Sequence, residues 1–173
     1  IKMELLEECR SDANGKNART QRQRIEDIIN KLVRIRPIDG TATSPMLRKE
    51  WNLEWTTEKE INFFSDFGIS KRITQTIGYD SELQNMIEFK RGGGLGVKGT
   101  LSIPDDVSIG KNDEIKSVRT NFKFDSATLD LGQWGSYTVP PVGEGWFDTI
   151  YLDEDLRIDF NSRDDILICT PAN

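Results

Sequence analysis

Residues 51–56, Trp51-Asn52-Leu53-Glu54-Trp55-Thr56, alternate bulky apolar with polar side chains at a period of two. On a pleated strand that period sends Trp51, Leu53 and Trp55 to one buried face and Asn52, Glu54 and Thr56 to a wet one. The same period returns downstream. Ile73, Gln75, Ile77 and Tyr79 alternate with Thr74, Thr76 and Gly78. Val97, Leu101 and Ile103 alternate with Lys98, Thr100 and Ser102, and Gly99 fills the apolar gap. Val118, Phe122 and Phe124 alternate with Arg119, Asn121 and Lys123, with Thr120 on their face. Further short strands are expected at Asn85–Phe89, Ala127–Leu131, Phe147–Leu152, Leu156–Phe160 and Ile166–Ile168, separated by Asp/Gly/Asn clusters that supply turns. About eight or nine half-polar antiparallel strands leave exposed edges unless the sheet closes or doubles, so a mainly β (α+β) barrel or sandwich is expected.

Upstream of Pro45 the period is different. Ile25, Ile28, Ile29, Leu32, Val33 and Ile35 recur at helical spacing, and Pro37 with Gly40 closes the pattern. Before it, Leu5 and Leu6 sit in a short charged stretch that Asn14-Gly15 ends. The apolar stripe is expected to pack on the rest of the domain. The chain therefore reads as a single domain over 1–173, with helices in 1–37 and the β structure in 46–170, and a short helix or loop near Phe63–Asp66.

Composition removes several chemistries. Among 173 residues there is no histidine, which excludes Ser-His-Asp and Cys-His dyads and any His-ligated zinc. Cys9 and Cys169 stand near opposite ends without CxxC spacing, a usage that points to a reducing compartment while leaving one bridge between the ends open. A net charge of −6 speaks against nucleic acid, whose binding relies on clustered Lys and Arg. No run of apolar residues exceeds the four of Ile166–Cys169, too short for a transmembrane helix, so any membrane contact is expected to be peripheral. The start at Ile1 rather than Met reads as a mature or trimmed segment, with any targeting peptide out of view.

Three motifs fail on their context. Gly94-Leu95-Gly96-Val97-Lys98-Gly99 spells GxGxxG but runs into a strand pattern, whereas a dinucleotide site needs a helix there. Asp66-Phe67-Gly68 precedes that glycine run, the reverse of the kinase order, and the kinase catalytic loop needs a histidine. Gly92–Gly96 is expected to be a hairpin connection. Asp159-Phe160-Asn161 opens like a calcium loop, but Arg163 occupies the third ligand position, so neither metal nor catalytic residues are assigned.

Read together, several stretches resemble the plastid-lipid-associated protein family, the fibrillins or plastoglobulins. Lys2–Leu6 with the Arg24–Val33 helix resembles its N-terminal helical pair, and Trp51–Glu58 resembles its W-x-L-x-(W/Y)-T-T strand. The most specific stretch is Gly145-Trp146-Phe147-Asp148-Thr149-Ile150-Tyr151-Leu152-Asp153-Glu154-Asp155-Leu156-Arg157-Ile158, similar to the family's C-terminal signature. Gln75-Thr76-Ile77 and Asn121–Phe124 resemble intervening strands, in the right order. The chain departs from the family at Lys49, where glycine is frequent, and after Ile158. The resemblance implies a lipocalin-like antiparallel β-barrel preceded by two helices, in a plastid protein of thylakoids or plastoglobules. It also implies bound carotenoid, quinone or other prenyl lipid, with no cofactor required.

A ligand in such a barrel would lie against inward side chains, for which Trp51, Leu53, Trp55, Val118, Phe122 and Phe124 are the candidates. Gln75, polar on an apolar face, would orient a headgroup, or else satisfy a backbone group while the aromatics fill the core. In the C-terminal signature a two-residue turn at Asp153-Glu154 places Tyr151, Thr149, Leu156, Ile158, Phe147 and Phe160 inside. Asp148, Asp155, Arg157 and Asp159 then form a charge cluster on the other face. Lipocalins cap their first-strand tryptophan with a late arginine, and Arg157 reaches Trp51 for such a cation–π contact only if the turn is longer. The expected function is non-enzymatic binding of plastid lipids or prenyl pigments. The rival is an accessory or assembly subunit docked on a photosynthetic membrane complex, with a filled barrel.

Overall fold

The computed structural model describes residues 1–11, 18–104, 117–140 and 143–172; the Asn14-Gly15 break lies outside them. Two helices come first, α1 (Lys2–Arg10) and α2 (Ala18–Arg34). Ile25, Ile28, Ile29 and Leu32 of the predicted stripe are buried, while Ile35 falls beyond the helix and stays exposed. Gln21 locks the pair together: its Nε2 donates to the Glu8 and Ser11 carbonyls at 2.6 and 2.9 Å, satisfying acceptors that a helix C-terminus leaves over.

Among the described residues nine strands form one antiparallel sheet: β1 (Glu50–Thr56), β2 (Ser70–Ile77), β3 (Glu82–Phe89), β4 (Gly94–Ser102), β5 (Arg119–Asp130), β6 (Ser136–Val139), β7 (Glu144–Leu152), β8 (Arg157–Asn161) and β9 (Ile166–Pro171). β1 to β5 follow one another as neighbours, β5 continues to β7, and β9 returns to pair with β1. All but β6 thereby close into an eight-stranded, lipocalin-like barrel with no open edge. The stretches at Val118–Phe124 and Ala127–Leu131 are halves of the single strand β5, whose second half pairs with the short β6. A bulge inside β5 keeps both halves in the sheet. On the facing strand, a Cβ on Gly99 would come within 2.3 Å of the Lys123 carbonyl oxygen, so only glycine lets β4 approach there.

Helices and barrel share a core outside the barrel wall. Leu5, Cys9, Ile25, Ile28, Ile29 and Leu32 pack against Tyr151, Leu156, Ile158, Ile166 and Ile168 on the outward faces of β7–β9 and the turn between β7 and β8. This explains the uninterrupted apolar run of β9: Ile166 and Ile168 face the helices, while Leu167 and Cys169 face the barrel interior. The two cysteines, one in each core, are both free. One barrel end is plugged by the 3-10 turns Thr41–Thr43 and Pro45–Leu47, where buried Leu47 lies under Trp51, Ile77, Leu101 and Leu152. At the opposite end α3 (Lys59–Asp66) joins β1 to β2. No helix among the described residues is long and apolar enough to cross a membrane.

Candidate functional site

The barrel encloses a cavity of about 270 Å³. Its walls are Leu53, Ile73, Leu83, Val97, Phe122 and Phe124, with Ile87, Leu95, Phe147, Leu167 and Cys169 completing them. Trp51 forms part of the lining toward the plugged end, and its indole Nε1 donates to the Leu47 carbonyl at 3.0 Å. Toward the other end the lining runs out to Ile61 and Phe64 of α3, to Glu58 and Glu60, and to Ser162 and Arg163 in the β8–β9 turn. Glu60 and Arg163 are solvent-exposed, so the cavity meets solvent between that turn and α3.

The polar part of the site is built around Arg157, which is fully buried. Its Nη2 donates to Gln75 Oε1 at 2.5 Å, pairs with Asp159 Oδ2 at 2.9 Å and lies 3.7 Å from Cys169 Sγ. The guanidinium carbon lies 5.2 Å from the centre of the Trp51 ring. Gln75 is held in turn, its Nε2 donating to Asn85 Oδ1 at 2.9 Å across β2 and β3. Asp159 accepts the Thr149 hydroxyl at 2.7 Å. Burial pushes the Asp159 carboxyl up, opposed by the Arg157 guanidinium and the Thr149 hydroxyl. Burial likewise pushes the Cys169 thiol up to about 12, which keeps it protonated and poorly nucleophilic. At the mouth Glu58 is raised by burial against the pull of Arg163 and of the Asn161 amide, which donates to it at 2.7 Å.

Of the side chains singled out in the sequence, Trp51, Leu53, Gln75, Phe122 and Phe124 line this cavity. Trp55 and Tyr151 do not, and both of these misplacements come from bulges. Leu53 pairs with Cys169, but Trp55 pairs with Ile168, so Glu54 is an extra residue and the alternation resets behind it. Trp55 therefore packs outward with the helical core. On β7, Thr149 pairs with Asp159 and Tyr151 with Ile158, leaving Ile150 extra. Tyr151 turns out to the helices, where its hydroxyl donates to Asp153 at 2.6 Å.

The β7–β8 connection is also longer than two residues. Leu152 pairs with Arg157, so the turn spans residues 153–156, and Asp153 caps it by accepting from the Asp155 and Leu156 amides. The bulge at Ile150, not the longer turn, carries Arg157 and Asp159 inward, because it inverts the facing beyond it while two added turn residues leave the facing unchanged. The expected charge cluster is thereby broken up. Asp148 instead pairs with Arg119 at 2.7 Å, and Arg119 stacks 3.6 Å from the Trp146 ring centre. Asp155 pairs with Lys2 at 3.1 Å near the protein surface. Val118 precedes β5 and is not among the cavity residues. Sequence reading missed Asn85, which lies opposite Gln75, and the mouth residues of α3; a polar pair at facing positions of adjacent strands is the signal that was available.

The strand register places the β3–β4 turn, the β5–β6 connection and α3 at the same end of the barrel, since Ser70 pairs with Phe89 and Gly94 with Asp130. That end is aromatic and exposed. Phe67 is 70% and Trp134 72% accessible, and Phe63, Ile69, Leu131 and Tyr137 are exposed with them. Phe63 packs on Phe67 with ring centres 4.7 Å apart, and Phe64 stacks on Phe89 beside the cavity mouth.

The family model PAP_fibrillin matches residues 1–169. The chain is similar to the probable plastid-lipid-associated protein 11, chloroplastic, of Arabidopsis thaliana, with 29% identity over 179 residues covering 99% of this chain and 79% of that protein. No solved structure matches. The match over both helices and all the strands of the barrel makes this chain a member of the PAP_fibrillin family.

Proposed function

We propose that this chain is a non-enzymatic plastid protein that holds a lipid or prenyl pigment in its barrel and rests peripherally on a thylakoid or plastoglobule surface. The cavity carries the reading. An eight-stranded barrel either fills with side chains or keeps room for one small ligand, and here room remains, walled by aliphatic and aromatic groups. About 270 Å³ accommodates a ring system or a short length of chain rather than a whole carotenoid or acyl lipid, so the remainder of a long ligand leaves through the mouth at α3. The similarity to a chloroplastic plastid-lipid-associated protein supports the compartment and the ligand class. Gln75 and Asp159 are both held by Arg157, and Cys169 is held as a thiol, which favours binding over catalysis.

The mouth supports the surface contact. A net charge of −6 disfavours attraction to anionic lipid, so attachment rests on apolar side chains, and the aromatics of α3 and the β5–β6 connection stand at the end from which a ligand tail would emerge. Flotation with phosphatidylcholine vesicles tests this. The wild-type chain is expected to co-float, and the Phe63→Ser/Phe67→Ser double variant to partition about tenfold or more less, from the apolar area it withholds. Equal flotation of the two proteins, or a wild-type chain that stays at the bottom of the gradient, would remove the mouth as the attachment surface.

A further inference from the structure

The inner wall of the cavity contains a charged group that is only half satisfied. Three of Arg157's protein partners crowd onto Nη2, whereas Nε and Nη1 find no acceptor among the described residues. Buried donors are nearly always paired, and an unpaired one on a charged group costs more than an ordinary hydrogen bond is worth. Trp51 does not discharge this debt, because a ring over the guanidinium meets its face while the N–H groups point outward in its plane. Arg157 is fully buried and lines the cavity, so an acceptor reaching it comes from inside the barrel.

The neighbours decide what kind of acceptor fits. Asp159 already balances the guanidinium at 2.9 Å, and a second anion would leave net negative charge in an apolar enclosure. A neutral oxygen adds no charge. A hydroxyl would bring a donor of its own, yet the facing acceptors are taken: Gln75 Oε1 by Arg157, Asp159 Oδ1 by Thr149. A carbonyl oxygen accepts without donating. Resting on the reading of the barrel as a ligand site, we propose that its ligand carries a neutral carbonyl oxygen that receives the free N–H groups of Arg157, with its apolar body against Leu53, Leu83, Val97, Phe122 and Phe124.

The test uses two probes that differ by one isosteric exchange, 2-acetylnaphthalene and 2-isopropenylnaphthalene, in which C=O is replaced by C=CH₂. Titrated calorimetrically into the whole chain, the ketone is expected to bind about tenfold or more tighter than the alkene, although the alkene is the more hydrophobic. The infrared carbonyl band of the bound ketone is expected at lower frequency than in water. In Arg157→Lys, which keeps the charge and loses the fork, the preference should fall toward parity. Should that variant fail to fold, the wild-type affinity ratio and band shift decide alone. An alkene that binds as tightly as the ketone, with an unshifted band, means that solvent satisfies Arg157; this overturns the carbonyl anchor and leaves the ligand-binding reading intact. If neither probe binds, both readings fall.

Discussion

Asp159→Ala is expected to destabilise the fold by about 3–5 kcal/mol, the cost of leaving one member of a buried ion pair without its counter-ion. The side chains of Arg157 and Asp159 are 0% and 2% exposed, so solvent screens neither. After the substitution the guanidinium keeps its charge, with only the neutral Gln75 oxygen and Cys169 sulfur against Nη2. The Thr149 hydroxyl, fully buried, loses its acceptor as well. The control is a double replacement, Arg157→Met/Asp159→Leu, which removes both charges and is expected to recover most of the loss, because desolvating the pair consumes much of what its attraction returns. Urea denaturation reads both. An alanine variant within about 1 kcal/mol of wild type would mean that the interior around Arg157 is wet rather than closed.

Trp51→Ala is expected to cost a similar amount, about 3–5 kcal/mol. Trp51 is the largest fully buried side chain, and it joins three parts of the structure. Its ring packs with Leu47 and Leu152 toward the plugged end, its Nε1 ties β1 to the Pro45–Leu47 turn, and its face lies beside Arg157. Alanine leaves a void that a closed barrel, tied by hydrogen bonds around its whole circumference, has little freedom to collapse into. Trp51→Phe keeps a ring and loses the Leu47 bond, so its cost should be smaller. A midpoint for Trp51→Phe as low as that for Trp51→Ala would assign the effect to the hydrogen bond rather than to packing.

The barrel was legible because its strands obey the period of two over most of their length, from Trp51-Asn52-Leu53 through Phe122-Lys123-Phe124, and the helices because Ile25, Ile28, Ile29 and Leu32 keep to one stripe. Where the facing of Trp55 and Tyr151 went astray, one residue was responsible each time. Glu54 and Ile150 are each an extra residue in a ladder, and a single extra residue inverts the facing of everything beyond it. Such bulges answer to barrel curvature and to the helices packed outside, which alternation along one strand does not encode. The turn after β7 is a similar case. Asp153-Glu154 looks like a two-residue turn, but Asp153 gathers two amides and the Tyr151 hydroxyl, stabilising a four-residue connection. Two added turn residues leave the facing of β8 unchanged, so it is the Ile150 bulge that carries Arg157 from a surface cluster into the cavity wall.

The barrel's ability to hold an apolar ligand is best tested by purifying the protein from its native membranes under mild conditions and analysing both the organic extract and the intact species by mass spectrometry. The account predicts about one pigment, quinone or lipid per chain, lost on extraction and retained in the intact mass. A monomeric chain without a stoichiometric hydrophobic molecule would contradict it. So would a chain that co-purifies with a large membrane complex and carries none, and that result would identify a docked structural subunit.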